Sequence, residues 1–195
     1  MTNKALRSFL LFTCVFSASA AAQVGEAYVS FGQSLFRNNR LGRDGSTTYK
    51  INDGFRLGAR LTLNTYRFFG HEFGYGYTRS KLGVEGAADE VSLTTQQGFY
   101  NFLAYAFPEG STFRPFLAGG GHFTTFYPPG SSAGYGGGVT KFGINYGGGF
   151  KVKVSPIFAI RLDLRDYYTG KPFDLLDQNG RLHQVEVSGG VGIVF

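Results

Sequence analysis

The last thirteen residues of the chain, His183 to Phe195, alternate with a period of two. Val185, Val187, Gly189, Val191, Ile193 and Phe195 are apolar or small, whereas Gln184, Glu186, Ser188, Gly190 and Gly192 are polar or small. Successive side chains of an extended strand point to opposite faces, so one face of this stretch suits oil and the other tolerates charge. About ten such residues cross a bilayer as a tilted strand, and strands cross only as a closed barrel, because hydrocarbon offers unpaired backbone groups no partner.

The same alternation recurs upstream. Near Gly25 to Phe36, Ala27, Val29 and Phe31 oppose Glu26, Tyr28 and Ser30. Near Tyr49 to Leu63, Phe55, Leu57, Ala59 and Leu61 oppose Arg56, Gly58, Arg60 and Thr62. Near Ile157 to Tyr168, Phe158, Ile160, Leu162 and Leu164 oppose Ala159, Arg161, Asp163 and Arg165. Further strands fit near Tyr66 to Thr78, Val91 to Phe107, Phe113 to Tyr127 and Val139 to Val154; parity is least clear where aromatics fall on both faces of Phe99 to Phe107. Connections alternate in length. Asn64–Thr65, Pro108–Thr112 and Ser155–Pro156 are short, whereas Arg37–Thr48, Arg79–Glu90, Pro128–Gly138 and Thr169–Leu182 are long, polar and contain glycine. Residues 23–195 are therefore expected to form one domain, an all-β, closed, eight-stranded antiparallel transmembrane barrel of up-and-down topology. Short turns on the periplasmic side and longer loops outside put both termini in the periplasm. The 30 glycines suit a narrow barrel, and the 21 phenylalanines and 12 tyrosines supply aromatic girdles at the two water interfaces. A soluble ligand-carrying barrel would invert the faces, and alternation alone does not say which face points inward.

The amino terminus agrees with export. Lys4 and Arg7 precede the apolar run Phe9 to Phe16, followed by Ala18, Ala20, Ala21 and Ala22, the layout of a secretory signal peptide over residues 1–22 that is cleaved after Ala22. The run is too short for a membrane-spanning helix. Cys14 is the sole cysteine, and Thr13 before it argues against a lipoprotein site; the mature chain then has no disulfide. Loss of Lys4 and Arg7 leaves seventeen basic against thirteen acidic residues. That mild excess, without a basic run or a helix to carry one, excludes a nucleic-acid partner and suits anionic lipid head groups.

If the apolar rows face lipid, Glu26, Arg56, Arg60, Glu72, Lys151, Arg161, Asp163, Arg165 and Glu186 converge inside the barrel with Asn145, and Gln97 and Asn101 are further candidates. An eight-stranded barrel is just wide enough for its interior to be filled by side chains. Unpaired charge in that space costs several kcal/mol, so a mutually neutralising network that plugs the lumen is expected. The alternative is a narrow path for small solutes, and the basic excess of this set would favour anions.

The segments "FLAGGGHF" from Phe116, "NYGGGFK" from Asn145, "RLDLRDY" from Arg161 and the terminal "VSGGVGIVF" make the chain resemble the outer membrane protein β-barrel superfamily, which includes the transmembrane domain of outer membrane protein A and the adhesin-type protein X. The resemblance spans essentially the whole mature chain and is specific for the fold rather than for a function. It implies that Glu72, Arg161 and Arg165 take part in an interior salt-bridge network. It also implies that Phe195 is read by the barrel-assembly machinery.

Lipid-modifying barrels need a serine and a histidine within hydrogen-bond reach on the lipid-facing rim. Here His71, His122 and His183 form no recognisable catalytic set, although Asp166 or Asp174 is a candidate neighbour for His183. Asp163 and Asp166 fall on opposite faces of a strand, the histidines lack ligand spacing, and the glycine clusters lack the Lys-Ser of a phosphate loop. No enzyme activity, metal or cofactor is expected. The chain is read as a monomeric bacterial outer-membrane scaffold whose partners are outer-membrane lipids, lipopolysaccharide, the assembly machinery and an extracellular or host ligand met through the loops. Arg37, Arg40, Arg43, Arg79, Lys81 and Lys171 in those loops are placed to engage phosphates.

Overall fold

A computed structural model describes residues 24–86, 90–132, 136–173 and 175–195. The expected signal peptide, and Asp174, lie outside them. Nine strands follow in chain order: β1 Val24–Arg37, β2 Arg40–Asp44, β3 Thr47–Tyr66, β4 Phe69–Val84, β5 Glu90–Tyr105, β6 Phe113–Tyr127, β7 Val139–Lys153, β8 Phe158–Thr169 and β9 Leu182–Val194. Every pairing is antiparallel, and β1 pairs with β3 on one side and β9 on the other, which closes the sheet. β2 continues β1 past a kink at Asn38, whose φ is 51°, and stays paired with β3. The wall is thus a closed barrel of eight staves, and no edge strand is left to recruit another chain.

Alternation dictates the two surfaces. Val29, Phe31, Leu57, Leu61, Phe73, Tyr75, Phe102, Phe123, Phe142, Ile160, Leu162, Leu164, Val187 and Val191 are all exposed on the outside. So continuous an apolar surface would aggregate in water and is stable against hydrocarbon. The charged rows point inward, which removes the soluble inverted barrel. No helix among the described residues is long and apolar enough to cross a membrane; strands do the crossing.

Glycines of the inner row make room for large interior side chains. A Cβ at Gly76 would sit 2.2 Å from Nη2 of Arg56, and one at Gly74 would sit 2.1 Å from Cζ of Phe99.

Two expectations about the connections need correction. The first short turn falls at residues 67–68, with a bulge between Asn64 and Tyr66, rather than at Asn64–Thr65. Much of Arg37–Thr48 and Arg79–Glu90 is strand: β2 lies within the first, and β4 reaches Val84 within the second. The reason is that apolar side chains still point inward there: Leu93 follows the parity of β5, while register shifts between Asn52 and Phe55 and between Arg40 and Gly42 turn Ile51 and Leu41 inward, so all three are fully buried and pairing continues beyond the length a bilayer requires. β3 reaches 20 residues. The barrel thereby has a turn end, which carries both Val24 and Phe195, and a taller loop end.

Candidate functional site: the barrel interior

Four tiers fill the interior from the turn end to the loop end. In the lowest, Lys151 on β7 pairs with Glu26 on β1 and donates to the Tyr105 hydroxyl at 2.8 Å. Glu26 also accepts from Tyr28 at 3.0 Å and from Asn64 at 2.8 Å. Arg114 on β6 stacks 3.7 Å over the Tyr105 ring and pairs with Glu109 at 2.7 Å.

The second tier is ionic and sits in mid-barrel. Asp163 lies between Arg161 and Arg165 on one face of β8, since residues two apart share a face. Arg161 reaches it with Nε at 2.7 Å and Nη2 at 2.9 Å, and Arg165 with Nη2 at 3.0 Å. Both guanidiniums also reach Glu72 on β4, at 2.5 and 2.8 Å. Arg60 on β3 ties the group to β9, with Nη2 2.6 Å from Glu186 and Nη1 3.3 Å from Asp163. Arg56, four residues away on the same face of β3, pairs with the second oxygen of Glu186 at 3.1 Å. Every side chain of this tier is at most 2% exposed. Breaking one buried pair therefore leaves a charge that water cannot rescue.

Above it lies an uncharged polar tier. Gln97 accepts from Arg56 at 2.6 Å and donates to Thr124 at 2.8 Å, while Gln184 donates to Ser34 at 2.9 Å and to Thr78 at 3.2 Å. The fourth tier is apolar: Phe36, Leu41, Ile51, Leu93, Phe126 and Leu182 pack together across the mouth of the loop end.

Each candidate named from the sequence is accounted for by this arrangement. Glu26 and Lys151 lie in the lowest tier; Arg56, Arg60, Glu72, Arg161, Asp163, Arg165 and Glu186 meet in the ionic one. Asn145, Gln97 and Asn101 are buried as well. Sequence reasoning missed Arg114, the inward position of His122 and the whole apolar tier. The shared face of His122 and Thr124 held the signal, because the same parity extended back along β6 reaches Arg114. Phe195 is two-thirds exposed and closes the seam by backbone, its N–H donating to Gly25 at 2.9 Å and its carbonyl accepting from Gly25 at 2.8 Å.

The histidines are dispersed. His71 meets the Tyr100 hydroxyl at 2.7 Å on the outer face, and His183 meets Asp166 at 2.7 Å, with Tyr146 donating to the same carboxylate at 3.0 Å. His122 is buried against the Tyr167 ring. None hydrogen-bonds a serine among the described residues, and no cluster of metal-ligating side chains occurs among them.

Among solved structures, the chain is similar to OprG from Pseudomonas aeruginosa at 13% identity, covering 89% of this chain and 94% of that one with a TM-score of 0.59. Neisserial surface protein A matches at 16% identity over 89% of this chain and 97% of that one, TM-score 0.56. The N-terminal β-barrel domain of Pseudomonas aeruginosa OprF matches at 14% identity over 88% and 97%, TM-score 0.52. At such identities these likenesses speak for the fold alone. No curated protein sequence matches the chain. A family model described as the outer membrane protein beta-barrel domain matches residues 8–195. The chain belongs to that family of bacterial outer-membrane barrels.

Proposed function

We propose that this protein is an outer-membrane scaffold: a plugged barrel that holds its loop end outward, both termini in the periplasm, and acts through what its loops meet. The single observation that carries the reading is the mid-barrel tier, where four guanidiniums and three carboxylates occupy the cross-section with at most 2% exposure. An apolar tier above it closes the same path a second time. The partners of such a scaffold are the surrounding lipids and lipopolysaccharide, a ligand of the medium or host, and the assembly machinery that reads Phe195; none requires a second copy or a catalytic group.

Planar-bilayer recording tests the plug. A silent bilayer from protein that shows heat-modifiable gel migration is expected, and stable openings abolished by Arg161→Ala would overturn it. The second reading, a narrow path for small anions, draws on the cation excess of the interior, where Arg56, Arg60, Arg114, Lys151, Arg161 and Arg165 face Glu26, Glu72, Asp163 and Glu186. Orientation is checked separately: Ser46→Cys in the β2–β3 turn should react with an impermeant maleimide on intact cells. Lack of reaction there, with reaction after outer-membrane rupture, would reverse the orientation. Deletion of Phe195 should lower outer-membrane yield while leaving export to the periplasm intact; equal yield would remove its role in assembly.

A further inference from the structure

Outside the interior, the loop end holds a cavity with a polar lining, about 420 Å³ in volume. Its walls are the Asn38 kink and β2 on one side and the segment between β8 and β9 on the other, contributing Asn38, Arg40, Arg43, Lys171, Asp177 and Asn179. Lys171 is only 7% exposed. Its one hydrogen bond among the described residues is to Oδ1 of Asn38, at a long 3.4 Å, and no described carboxylate lies within ion-pair distance of it. Burial pushes the Lys171 ammonium down from its ordinary pKa. An ammonium in that position is short of negative charge.

The neighbouring cations are compensated only from the rim. Arg40 pairs with Glu85, and Arg43 pairs with Asp177 at 3.0 Å; all four side chains are well exposed. Among the described residues, Lys171, Arg40 and Arg43 thus face two carboxylates, and the cation without a described carboxylate partner is the buried one.

The cavity is also held in shape by unusual backbone. The described non-glycine residues with positive φ are Asn38, Phe173 and Asp177, and all three belong to its two walls. Such conformations cost free energy and persist where the surroundings hold them, often around a binding site. Here the fastenings are visible: Arg43 and Leu176 exchange two backbone hydrogen bonds at 2.8 and 2.9 Å, and the Asn38 amide donates to the Arg181 carbonyl at 2.8 Å. Gly42, with φ 142°, lets the walls meet, because a Cβ there would lie 2.7 Å from the Leu176 carbonyl oxygen.

We infer that this cavity binds a tetrahedral oxyanion ester carried on a sugar, a phosphate or sulfate, with Lys171 as the buried counter-charge, Arg40 and Arg43 as rim donors, and Asn38 and Asn179 as hydrogen-bonding partners of the sugar. A single ester fits the one lining cation that has no carboxylate partner among the described residues, and the remaining volume with its amide lining fits a saccharide rather than a bare ion. The inference rests on the outward orientation proposed above for its access to ligand, but binding itself does not.

The test uses the mature protein, refolded so that it carries no lipopolysaccharide, in phosphatidylcholine nanodiscs that expose both ends. N-acetylglucosamine 1-phosphate is titrated by calorimetry, with N-acetylglucosamine as the uncharged control. The phosphorylated sugar should bind and the control should not. Lys171→Met should weaken binding about tenfold or more, the size of a lost charge-assisted hydrogen bond, while Lys171→Arg keeps most of it. Heat-modifiable migration of each variant shows that the barrel is intact. A second arm adds lipid A, phosphorylated or dephosphorylated, to the nanodiscs and follows the Asn38 and Asn179 side-chain amide resonances. Shifts with phosphorylated lipid A alone identify a lipid source, and binding of the free sugar phosphate without them identifies a soluble glycan. Equal affinity in folded Lys171→Met, or no response to either phosphorylated probe, overturns the inference. Failure of the Ser46→Cys labelling would reverse the orientation without touching this result.

Discussion

Cations are buried at two places in this barrel, and the two are built differently. In mid-barrel, Asp163 alone is approached by Arg60, Arg161 and Arg165, and each of those guanidiniums reaches a second carboxylate. At the loop end, Lys171 has an amide oxygen at 3.4 Å as its hydrogen-bonding partner. Saturated contacts drawn from several strands fix a structure, whereas an unsatisfied charge in an open cavity leaves work for a ligand. The contrast separates what holds the barrel together from what the loop end has free for the ligand proposed above.

Four experiments put that contrast to the test. The largest effect is expected from Asp163→Asn, which deprives three guanidiniums of a shared carboxylate; unfolding in detergent should show a loss of about 3–5 kcal/mol. A loss below about 1 kcal/mol would mean that water enters the tier and that its charges are not dry. Next comes Ile51→Ala in the fully buried apolar tier, expected to cost about 2–4 kcal/mol as a cavity with partial collapse. If Ile51→Ala also produces bilayer conductance, the apolar tier rather than the ionic one is the seal. Lys171→Met should leave stability unchanged or slightly raised in the absence of oxyanion, since it removes a buried charge with a long amide contact and no described carboxylate. A loss comparable to that of Asp163→Asn would make Lys171 structural and erase the distinction.

The smallest effect belongs to the rim. The hydrogen bond from Lys81 holds the Glu90 carboxyl below its ordinary range. A depressed carboxyl pKa stabilises the fold above the ordinary carboxylate range, and that contribution disappears as the pH falls through it. The pair is exposed and screened, so Glu90→Gln should shift the thermal midpoint by no more than experimental error, and acid should act equally on the variant and the parent.

How far the fold could be read in advance depended on what shares the inner face. β8 is legible because Arg161, Asp163 and Arg165 alternate with Ile160, Leu162 and Leu164, and a one-residue slip would put three charges into lipid. β5 and β6 blur because large apolar side chains also point inward: Phe99, Leu103 and Tyr105 on the first, Phe116 and Phe126 on the second. Those aromatics are counterparts of the arginines, with Arg161 4.7 Å over the Phe116 ring and Arg60 5.6 Å over Phe99. An aromatic residue there satisfies either face, so period-two reading has nothing to decide with. The segment "NNRLGRDGST" from Asn38 looks like loop because of its Asn, Asp and Gly content, yet it holds β2. A bulge between Arg40 and Gly42 absorbs the irregularity while Leu41 is still delivered to the apolar tier. The Lys171 cavity was illegible for another reason: its walls are distant in sequence, and the Arg43–Leu176 bridge, the Arg43–Asp177 ion pair and the Asn38 to Arg181 hydrogen bond bring them together.

The seam between β1 and β9 has a consequence in time. Arg56 and Arg60 are made early, on β3, but Glu186, the carboxylate that holds them both, lies on the last strand, which reaches its place only when β9 pairs with β1 from Glu26↔Val194 to Arg37↔His183. Until then Arg56 lacks its carboxylate and Arg60 lacks its nearest one, and an open sheet in that state cannot rest in hydrocarbon. Entry into the membrane and closure of the ring must therefore happen together, and a chain stalled before its final strand has to wait in water.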